Sequence, residues 1–374
     1  MDTLSRKPER LCRSSSPRCA ADRRHLEMTD APPSPGSPRP FVLHAPNVHG
    51  GGGRALLLPL LEALKPPATV LLDTRLSPLP ALHPGVRVLR FPPTLAGRLR
   101  AEIALRRLAV PENDILCFGN LPPLLARAEA NTTVFLQNRY LLPPSPLDGL
   151  PLRTKARLVI ERIWLRSRRG AARLMVQSET MAAAARHAFG QTAEVCPFTA
   201  GIPAPSERAA QKTIDFLYVA SGEAHKNHAT LLAAWEGLAK DGLTPTLGLT
   251  LAPPDQARLQ HALEKARAAG ARIALLPPRS PDEMPALYAA AHAVIYPSLF
   301  ESFGLPLIEA QAAGLPILAA ERDYVRDLVD PDQSFDPTSH RSIARAVRRH
   351  LGQPAPRPVI LDASGLLARL RGRR

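Results

Sequence analysis

From residue 40 onward the chain alternates two hydrophobic patterns. Short, nearly continuous apolar runs recur at 40–45 (PFVLHA), 69–73 (TVLLD), 86–91 (VRVLRF), 114–119 (DILCFG), 133–138 (TVFLQN), 173–178 (RLMVQS) and 194–198 (EVCPF). Stretches of helical spacing separate most of them, at 54–64, 95–108, 152–169 and 179–189. Strands that are apolar at almost every position are buried on both faces, so this pattern predicts a parallel sheet covered by helices on each side. A polar, proline-bearing stretch, TAGIPAPSERAAQKT at 199–213, interrupts the alternation. It then restarts with strands expected at 215–221, 246–251, 272–277, 292–298 and 316–320, and helices at 227–241, 255–269 and 282–291. The expectation is α/β: two doubly wound, Rossmann-like domains at 40–200 and 214–352, joined by a linker at 201–213. Ligand would bind between the carboxyl ends of their sheets. A last helix at 355–374 is expected to pack back on the first domain.

Length agrees with two domains, since 374 residues exceed one ordinary core. Residues 1–39 are rich in Ser, Arg and Pro and read as a disordered tail, or as an over-long reading frame whose true start is Met28. No apolar run approaches the roughly 20 residues a spanning helix requires, and the N-terminus has no apolar core of a secretory signal. A cytoplasmic protein is expected. Cys12, Cys19, Cys117 and Cys196 form no CxxC and no metal-ligand spacing, so they read as reduced structural thiols. The net charge of +15 raises nucleic acid or an anionic membrane as partners. The cations are nearly all arginine spread along the chain, however, and no zinc finger, helix-turn-helix or RNA-binding aromatic signature accompanies them. Nucleic acid is therefore not expected.

Three stretches carry candidate chemistry. In HAPNVHGGGGRALLLPLL (44–61), Gly50, Gly51, Gly52 and Gly53 follow the first strand and precede a helix expected to begin near Arg54. Backbone without side chains at a helix N-terminus lets amide N–H groups approach an anion. In YVASGEAHKNHATLLAAW (218–235), Lys226 stands just before a helix, where it can act as a point charge on a phosphate. His225 and His228 flank it and read as capping or solvated groups. In FESFGLPLIEAQAAGLPIL (300–318), Glu301 and Glu309 lie eight positions apart. Pro306 places the helix start at itself, leaving Glu301 on the loop before it and Glu309 in the first turn. The amides of Phe303, Gly304 and Leu305 would form a second anion site at that helix start. Glu309 can accept hydrogen bonds from a vicinal diol such as a ribose, and Glu301 can bind hydroxyls of a further group. Taken singly, Glu301 is a surface loop acid and Glu309 a dipole partner.

The stretch YPSLFESFGLPLIEAQAAGLPILAA (296–320) resembles the signature of the retaining "group 1" or GT4 glycosyltransferases of GT-B architecture. Their E-x7-E hallmark falls on Glu301 and Glu309. AHKNHATLLAAW is similar to the family's basic phosphate-binding segment and NVHGGGGRALLLPLL to its N-terminal glycine loop. The resemblance spans about 41–352 and is stronger in the second half. It implies transfer of a sugar from a nucleoside diphosphate sugar to an acceptor hydroxyl, with retention; because no carboxylate cluster in the sequence suggests a divalent cation, no metal or other cofactor is expected. Residue by residue, it implies that Glu309 binds the nucleotide ribose and Glu301 the donor sugar. The amides of Phe303 to Leu305 contact the sugar or diphosphate, Lys226 neutralises the diphosphate, and the Gly50–Gly53 loop closes over the donor. The acceptor would be a glycan or lipid-linked, in bacterial cell-surface polysaccharide or lipopolysaccharide synthesis. Two departures stand out. Ser221 occupies the place of the usual arginine, with Arg54 and Arg279 as candidate replacements. Gln137 lies near the place of the usual N-domain histidine, with His44 and His49 nearby. These departures keep open a catalytically degenerate sugar-nucleotide binder, and the shared architecture an epimerase, although epimerases lack the E-x7-E spacing.

The stretch LRTKARLVIERIWLRSRRGAARL (152–174) interleaves Arg157, Arg162, Arg166, Arg168 and Arg169 with Leu158, Ile160, Ile163, Trp164 and Leu165. Such a helix suits peripheral contact with an anionic membrane. It equally suits an ordinary domain helix with a solvated basic face.

Overall fold

The computed structural model describes residues 39–125, 131–143, 145, 147, 150–199, 211–354, 363 and 369. The expected N-terminal tail, most of the linker and nearly all of the expected terminal helix lie outside these residues.

The first lobe runs β1 (Phe41–Ala45), α1 (Gly51–Ala63), β2 (Ala68–Asp73), β3 (Val86–Phe91), α2 (Leu95–Leu108), β4 (Asp114–Cys117), β5 (Asn131–Phe135), α3 (Leu152–Ser167), β6 (Arg173–Val176), α4 (Glu179–Phe189) and β7 (Ala193–Val195). Its seven strands lie in the order β3-β2-β1-β4-β5-β6-β7, all parallel. The second lobe runs β8 (Ile214–Tyr218), α5 (His228–Lys240), β9 (Leu247–Thr250), α6 (Pro253–Ala268), β10 (Ile273–Leu276), α7 (Met284–Ala289) and β11 (Ala291–Tyr296). It continues through α8 (Leu305–Ala312), β12 (Ile317–Ala320), α9 (Asp323–Arg326), β13 (Gln333–Phe335) and α10 (His340–His350). The six strands of this sheet take the order β10-β9-β8-β11-β12-β13, again all parallel. In each sheet the order reverses beside the first strand, between β1 and β4 and between β8 and β11. A doubly wound sheet opens a crevice at that point, at the carboxyl ends of its strands.

The side-chain alternation of β1 shows why helices cover both faces. Val42 belongs to a core shared with Leu105 of α2, Leu158 and Leu165 of α3 and Met181 of α4. Leu43 and Ala45 point the other way, into a core with Leu56, Leu57 and Leu61 of α1. In the second lobe, α5 presents Leu231, Leu232, Trp235 and Leu238 to its sheet at helical spacing, all buried. Each such side chain contributes about 1.5–3 kcal/mol by leaving water. Three helices begin on hydroxyl caps: Thr94 accepts from Gly97 N, Ser178 from Met181 N and Ser339 from Ser342 N.

Four details differ from the sequence reading. First, α1 starts at Gly51, so Gly51–Gly53 form its first turn and are not a loop; Gly51 enters with φ of 60°. Glycine's weak helix preference hides such a start. Second, α8 begins at Leu305 with Pro306 second, because Gly304, at φ of 98°, caps it in the left-handed region. Glu309 therefore sits just beyond the first turn. Third, β13 and α9 are too short for periodicity to reveal. Fourth, only part of the basic and apolar mixture at 152–174 faces outward. Leu158 and Leu165 are in the core, while Arg162 donates to Tyr140 O at 2.7 Å and to Ser145 O at 3.0 Å. Arg168 is tied to the carbonyl of Leu124.

Candidate functional site

Between the carboxyl ends of the two sheets lies a cavity of about 940 Å³, lined from both lobes. On one wall stand His49, Gly50–Gly53, Asn120, Gln137, Asn138 and Tyr140. On the other are Ser221, His225, Lys226, Arg279, Tyr288, Tyr296, Glu301, Phe303–Pro306 and Glu309. Lys226, Glu301, Glu309, Phe303–Leu305 and Gly50–Gly53, the binding residues read from the sequence, all line this one cavity.

Lys226 is placed by backbone geometry before it is placed by charge. It ends a single 3-10 turn, Ala224–Lys226, and Asn227 follows at φ of 62°. Asn227 holds that conformation by donating its side-chain amide to Pro297 O at 3.1 Å and Pro337 O at 2.7 Å. Its Oδ1 accepts from Thr230 Oγ1 at 2.6 Å. The 297–300 loop is bound to the same turn by Leu299 N, which donates to His225 O at 2.8 Å. Tyr324 Oη, donating to Ser298 O at 2.8 Å, supports that loop from beneath. The turn and the loop are thus one unit, and Lys226 Nζ reaches Glu301 Oε1 at 2.7 Å. Tyr296 Oη donates to the same oxygen at 3.1 Å, and Tyr218 Oη donates to Lys226 O at 2.7 Å. Both groups of the ion pair are largely buried, so their mutual contact and these hydroxyls replace lost hydration.

Glu309 is held separately. Tyr288 Oη donates to its Oε2 at 2.7 Å. Burial pushes the Glu309 carboxyl above its ordinary range, and the Tyr288 hydrogen bond partly opposes this. Burial also raises Tyr288 and Tyr296 well above the usual tyrosine value, so both remain hydroxyl donors at neutral pH. Between the two acids, the N–H groups of Phe303, Gly304 and Leu305 donate to no acceptor among the described residues. They open the N-terminus of α8, where backbone polarity favours an anion.

The facing wall works with backbone. A β-carbon added at Gly50, Gly51 or Gly52 would meet nothing within 4 Å, whereas one at Gly53 would press on Val48 at 3.2 Å. Packing within the protein therefore does not demand glycine at 50 or 52, and their bareness leaves room in the cavity for a ligand. Asn120, at φ of 70°, accepts from Gln137 N at 2.6 Å and Asn138 N at 2.9 Å. Gln137 Nε2 donates to Phe118 O at 3.1 Å. The two walls touch where Tyr140 Oη and His225 Nδ1 share a 3.0 Å hydrogen bond and Tyr140 meets Phe300 edge to face at 5.1 Å.

The two departures noted in the sequence acquire locations. Ser221 donates to Glu223 Oε2 at 2.9 Å and offers no charge. Arg279 lines the cavity, paired with Glu283 at 3.0 Å, whereas Arg54 is not on its wall. His49 lines the cavity; His44 is buried on β1 and does not. Burial takes His44 down to about 3, aided by Arg98, and His228 to about 4, aided by Lys226. Neither acts as a cation there. Cys117 is buried and Cys196 half-buried, both free. Among the described residues no group of three or more His, Cys, Asp or Glu side chains is placed to hold a metal.

Sequence reasoning passed over the tyrosines. The chain has five, Tyr140, Tyr218, Tyr288, Tyr296 and Tyr324. Every one places its hydroxyl on this site or on the loop that builds it. Their scarcity was the available signal.

Residues 204–360 match the family model described as Glycosyl transferases group 1. Among curated relatives, a D-inositol 3-phosphate glycosyltransferase of Salinispora tropica is 51% identical over 65 residues, 17% of this chain and 14% of that protein. The chain thus spans only a small part of the relatives it matches. Among solved structures, sucrose-phosphate synthase from Thermosynechococcus elongatus superposes with a TM-score of 0.66 at 19% identity, covering 85% of this chain and 90% of that one. The Anabaena protein HepE, in complex with UDP and glucose, gives 0.62 at 17%, covering 84% and 90%. At such identities the structures establish the fold. The match to the glycosyl transferases group 1 model covers the C-terminal lobe, less than half of the chain, and the two lobes together take the two-domain GT-B fold.

Proposed function

We propose that this protein transfers a sugar from a nucleoside diphosphate sugar to an acceptor hydroxyl, retaining the anomeric configuration. One observation carries the reading. A buried Lys226–Glu301 pair and a separately held Glu309 flank free amides at a helix N-terminus within one cavity. A donor has a diol at one end, a sugar at the other and a diphosphate between them, and this wall offers a matching group for each. Glu309 Oε1 would take the ribose diol while Tyr288 occupies Oε2. Glu301 would bind sugar hydroxyls. The amides of Phe303, Gly304 and Leu305, with Lys226 and Arg279, would hold the diphosphate. The UDP and glucose bound by HepE support a sugar nucleotide as donor.

In the transfer, the bond from the anomeric carbon to the phosphate oxygen breaks and its electron pair stays on that oxygen. The acceptor oxygen bonds to the same face of the anomeric carbon and its proton passes to the leaving phosphate. Lowering the barrier means stabilising charge on the departing diphosphate, which is the task of fixed cations and amides. This chain brings those groups from its own residues, so the reading is of a metal-independent transferase. The proposed setting is bacterial cell-surface polysaccharide or lipopolysaccharide synthesis, on a glycan or lipid-linked acceptor at the cytoplasmic side of the membrane.

Ser221 favours one other reading, a binder that has lost turnover, because it removes a cation from the diphosphate wall. A thermal-shift panel of UDP-, GDP- and ADP-sugars tests donor binding, since a ligand selective for the folded state stabilises by mass action. Stabilisation by one nucleotide class, followed by slow donor hydrolysis without acceptor, is expected. Stabilisation without hydrolysis or transfer would identify the binder. No stabilisation by any sugar nucleotide would overturn both.

A further inference from the structure

The large hydrophobic side chains that stay exposed among the described residues all fall between residues 95 and 163, in the first lobe. Three lie on α2 at one-turn spacing: Leu95, 90% exposed, Leu99 and Ile103. Four lie on α3: Leu152, 83% exposed, Val159, Ile160 and Ile163. Single exposed leucines are ordinary, but a stripe on each of two neighbouring helices is not.

The two helices are neighbours on one face of the sheet. Leu105 of α2 and Leu158 and Leu165 of α3 enter the same core, so their opposite sides point out together. Arg98 of α2 lies within electrostatic reach of Glu161 and Arg157 of α3. Leu124 joins them: its amide donates to Glu102 of α2 at 2.8 Å, and its carbonyl accepts from Arg168 just past α3. Leu124 is itself exposed.

The charge around the stripes has one sign. Arg100, Arg106 and Arg107 are exposed on α2, and Arg153, Arg157 and Arg166 on α3. The acids of the two helices, Glu102 and Glu161, are turned inward, the first buried on backbone amides and the second half-buried. A protein partner covering such a surface would need matching acids; an anionic bilayer supplies both the apolar interior and the negative headgroups.

We infer that the outer faces of α2 and α3 together form a docking surface for an anionic lipid bilayer, broader than the single helix the sequence suggested. Aliphatic side chains enter the headgroup boundary while the flanking arginines remain at the phosphates. The surface is coupled to the cleft, because Arg162 of α3 holds the carbonyl of Tyr140, whose ring meets His225 and Phe300. Docking would therefore hold the first-lobe wall of the cavity near the membrane. This names a lipid-linked acceptor and rests on the transferase reading for that step, while the binding itself does not.

The test is vesicle flotation of the full chain. Vesicles of equal parts phosphatidylglycerol and phosphatidylcholine are compared with phosphatidylcholine alone, and donor binding is measured separately by thermal shift. The chain is expected to float with the anionic vesicles and to be released by high salt in part. Leu99→Glu and Ile160→Glu should each reduce binding at least about tenfold, as expected for withdrawing one aliphatic side chain from a bilayer. Their melting temperatures and donor binding should not change, because both positions are exposed. Equal binding to neutral vesicles, or undiminished binding by both variants, overturns the proposal. So does a dimer in sedimentation velocity that either variant dissolves, since a second copy would then cover this face. Flotation without donor stabilisation would leave the docking surface standing and remove the transferase reading.

Discussion

The two lobes share a strand order and divide the work unequally. In the second, the cavity wall is made of side chains whose partners are fixed before any ligand arrives: Lys226 on Glu301, Tyr296 on the same carboxylate, Tyr288 on Glu309. In the first, the wall is bare helix start and a short amide network, and the exposed apolar surface lies around its outside. A donor with a constant nucleotide end rewards fixed side chains. In the proposed function the acceptor would be met from the first lobe and would make no such uniform demand; that lobe's exposed apolar side chains lie on its surface.

Removing Lys226 should produce the largest effect. Lys226→Met is expected to lower turnover by roughly a hundredfold or more, as losing one preorganised donor to a departing oxyanion does. It also strands Glu301 in a largely buried place, which by itself threatens folding. The double variant Lys226→Met with Glu301→Gln separates the two effects: melting temperature should recover and turnover should not. If Gln137→Ala, on the opposite wall, costs as much turnover as Lys226→Met, the division between the lobes is wrong.

Acid stability offers a comparison with one histidine per lobe. His44 on β1 and His228 at the start of α5 are both buried, and Nε2 of His44 and both ring nitrogens of His228 lack partners among the described residues. Burial takes them from 6.5 to about 3 and about 4 respectively. Each is held neutral in the folded chain, and the unfolded chain protonates it near 6.5. The associated stability is complete above that value and is lost as pH falls toward the folded-state values. For His228 the loss is on the order of 3 kcal/mol by about pH 4. His228→Leu should flatten the fall of melting temperature between those pH values, and so should His44→Leu. An unchanged slope in both would show that carboxylate protonation elsewhere governs acid unfolding.

What could be read in advance follows the same division. Strands such as Val86–Phe91 and helices such as Leu95–Leu108 and Glu179–Phe189 matched their patterns to the residue, because their apolar positions recur at the spacing of each element. Glu301, Glu309 and Lys226 were visible because a proline, a glycine and two acids stand at fixed spacing. The start of α1 was hidden because Gly51 enters the helix through a conformation that no propensity scale anticipates. The tyrosines were hidden for another reason: Tyr288 meets Glu309 from 21 residues away and Tyr140 meets His225 from 85. Such pairings come from the winding of the sheet and leave no local trace. Gln137 illustrates the limit from the other side, since its bond to Phe118 O was invisible in the stretch that named it.

A bare helix start predicts a separation of stability from binding. Gly52→Leu adds a side chain where a β-carbon meets nothing within 4 Å. Leucine suits a helix better than glycine, by up to about 1 kcal/mol, so melting temperature should hold or rise. Gly52 lines the cavity, so a side chain there takes up space beside the donor, and donor affinity measured by thermal shift should fall about tenfold or more, the amount expected for overfilling a site. The second-lobe counterpart, Glu309→Ala, should weaken donor binding while leaving the diphosphate contacts in place. Donor affinity unchanged in Gly52→Leu would mean that the first-lobe wall stays clear of the donor.

The smallest effect is the most specific. Tyr288→Phe removes one hydroxyl from a buried tyrosine and leaves the ring. The hydroxyl does not face the reacting bond in the proposed pose; it fixes Glu309 Oε2 so that Oε1 meets the ribose. Donor KM should rise about three- to tenfold, the range for one hydrogen bond, with kcat nearly unchanged. The pH profile adds a sign that a merely structural role would not give. Burial holds the Glu309 carboxyl above its ordinary range and the tyrosine hydrogen bond pulls it down. Without the hydroxyl the carboxyl titrates higher still, so donor binding should fail at a higher pH on acidification than in the parent protein. A drop in kcat at constant KM, or an acidic limb that stays put, would remove Tyr288 from donor binding and leave Glu309 without its support.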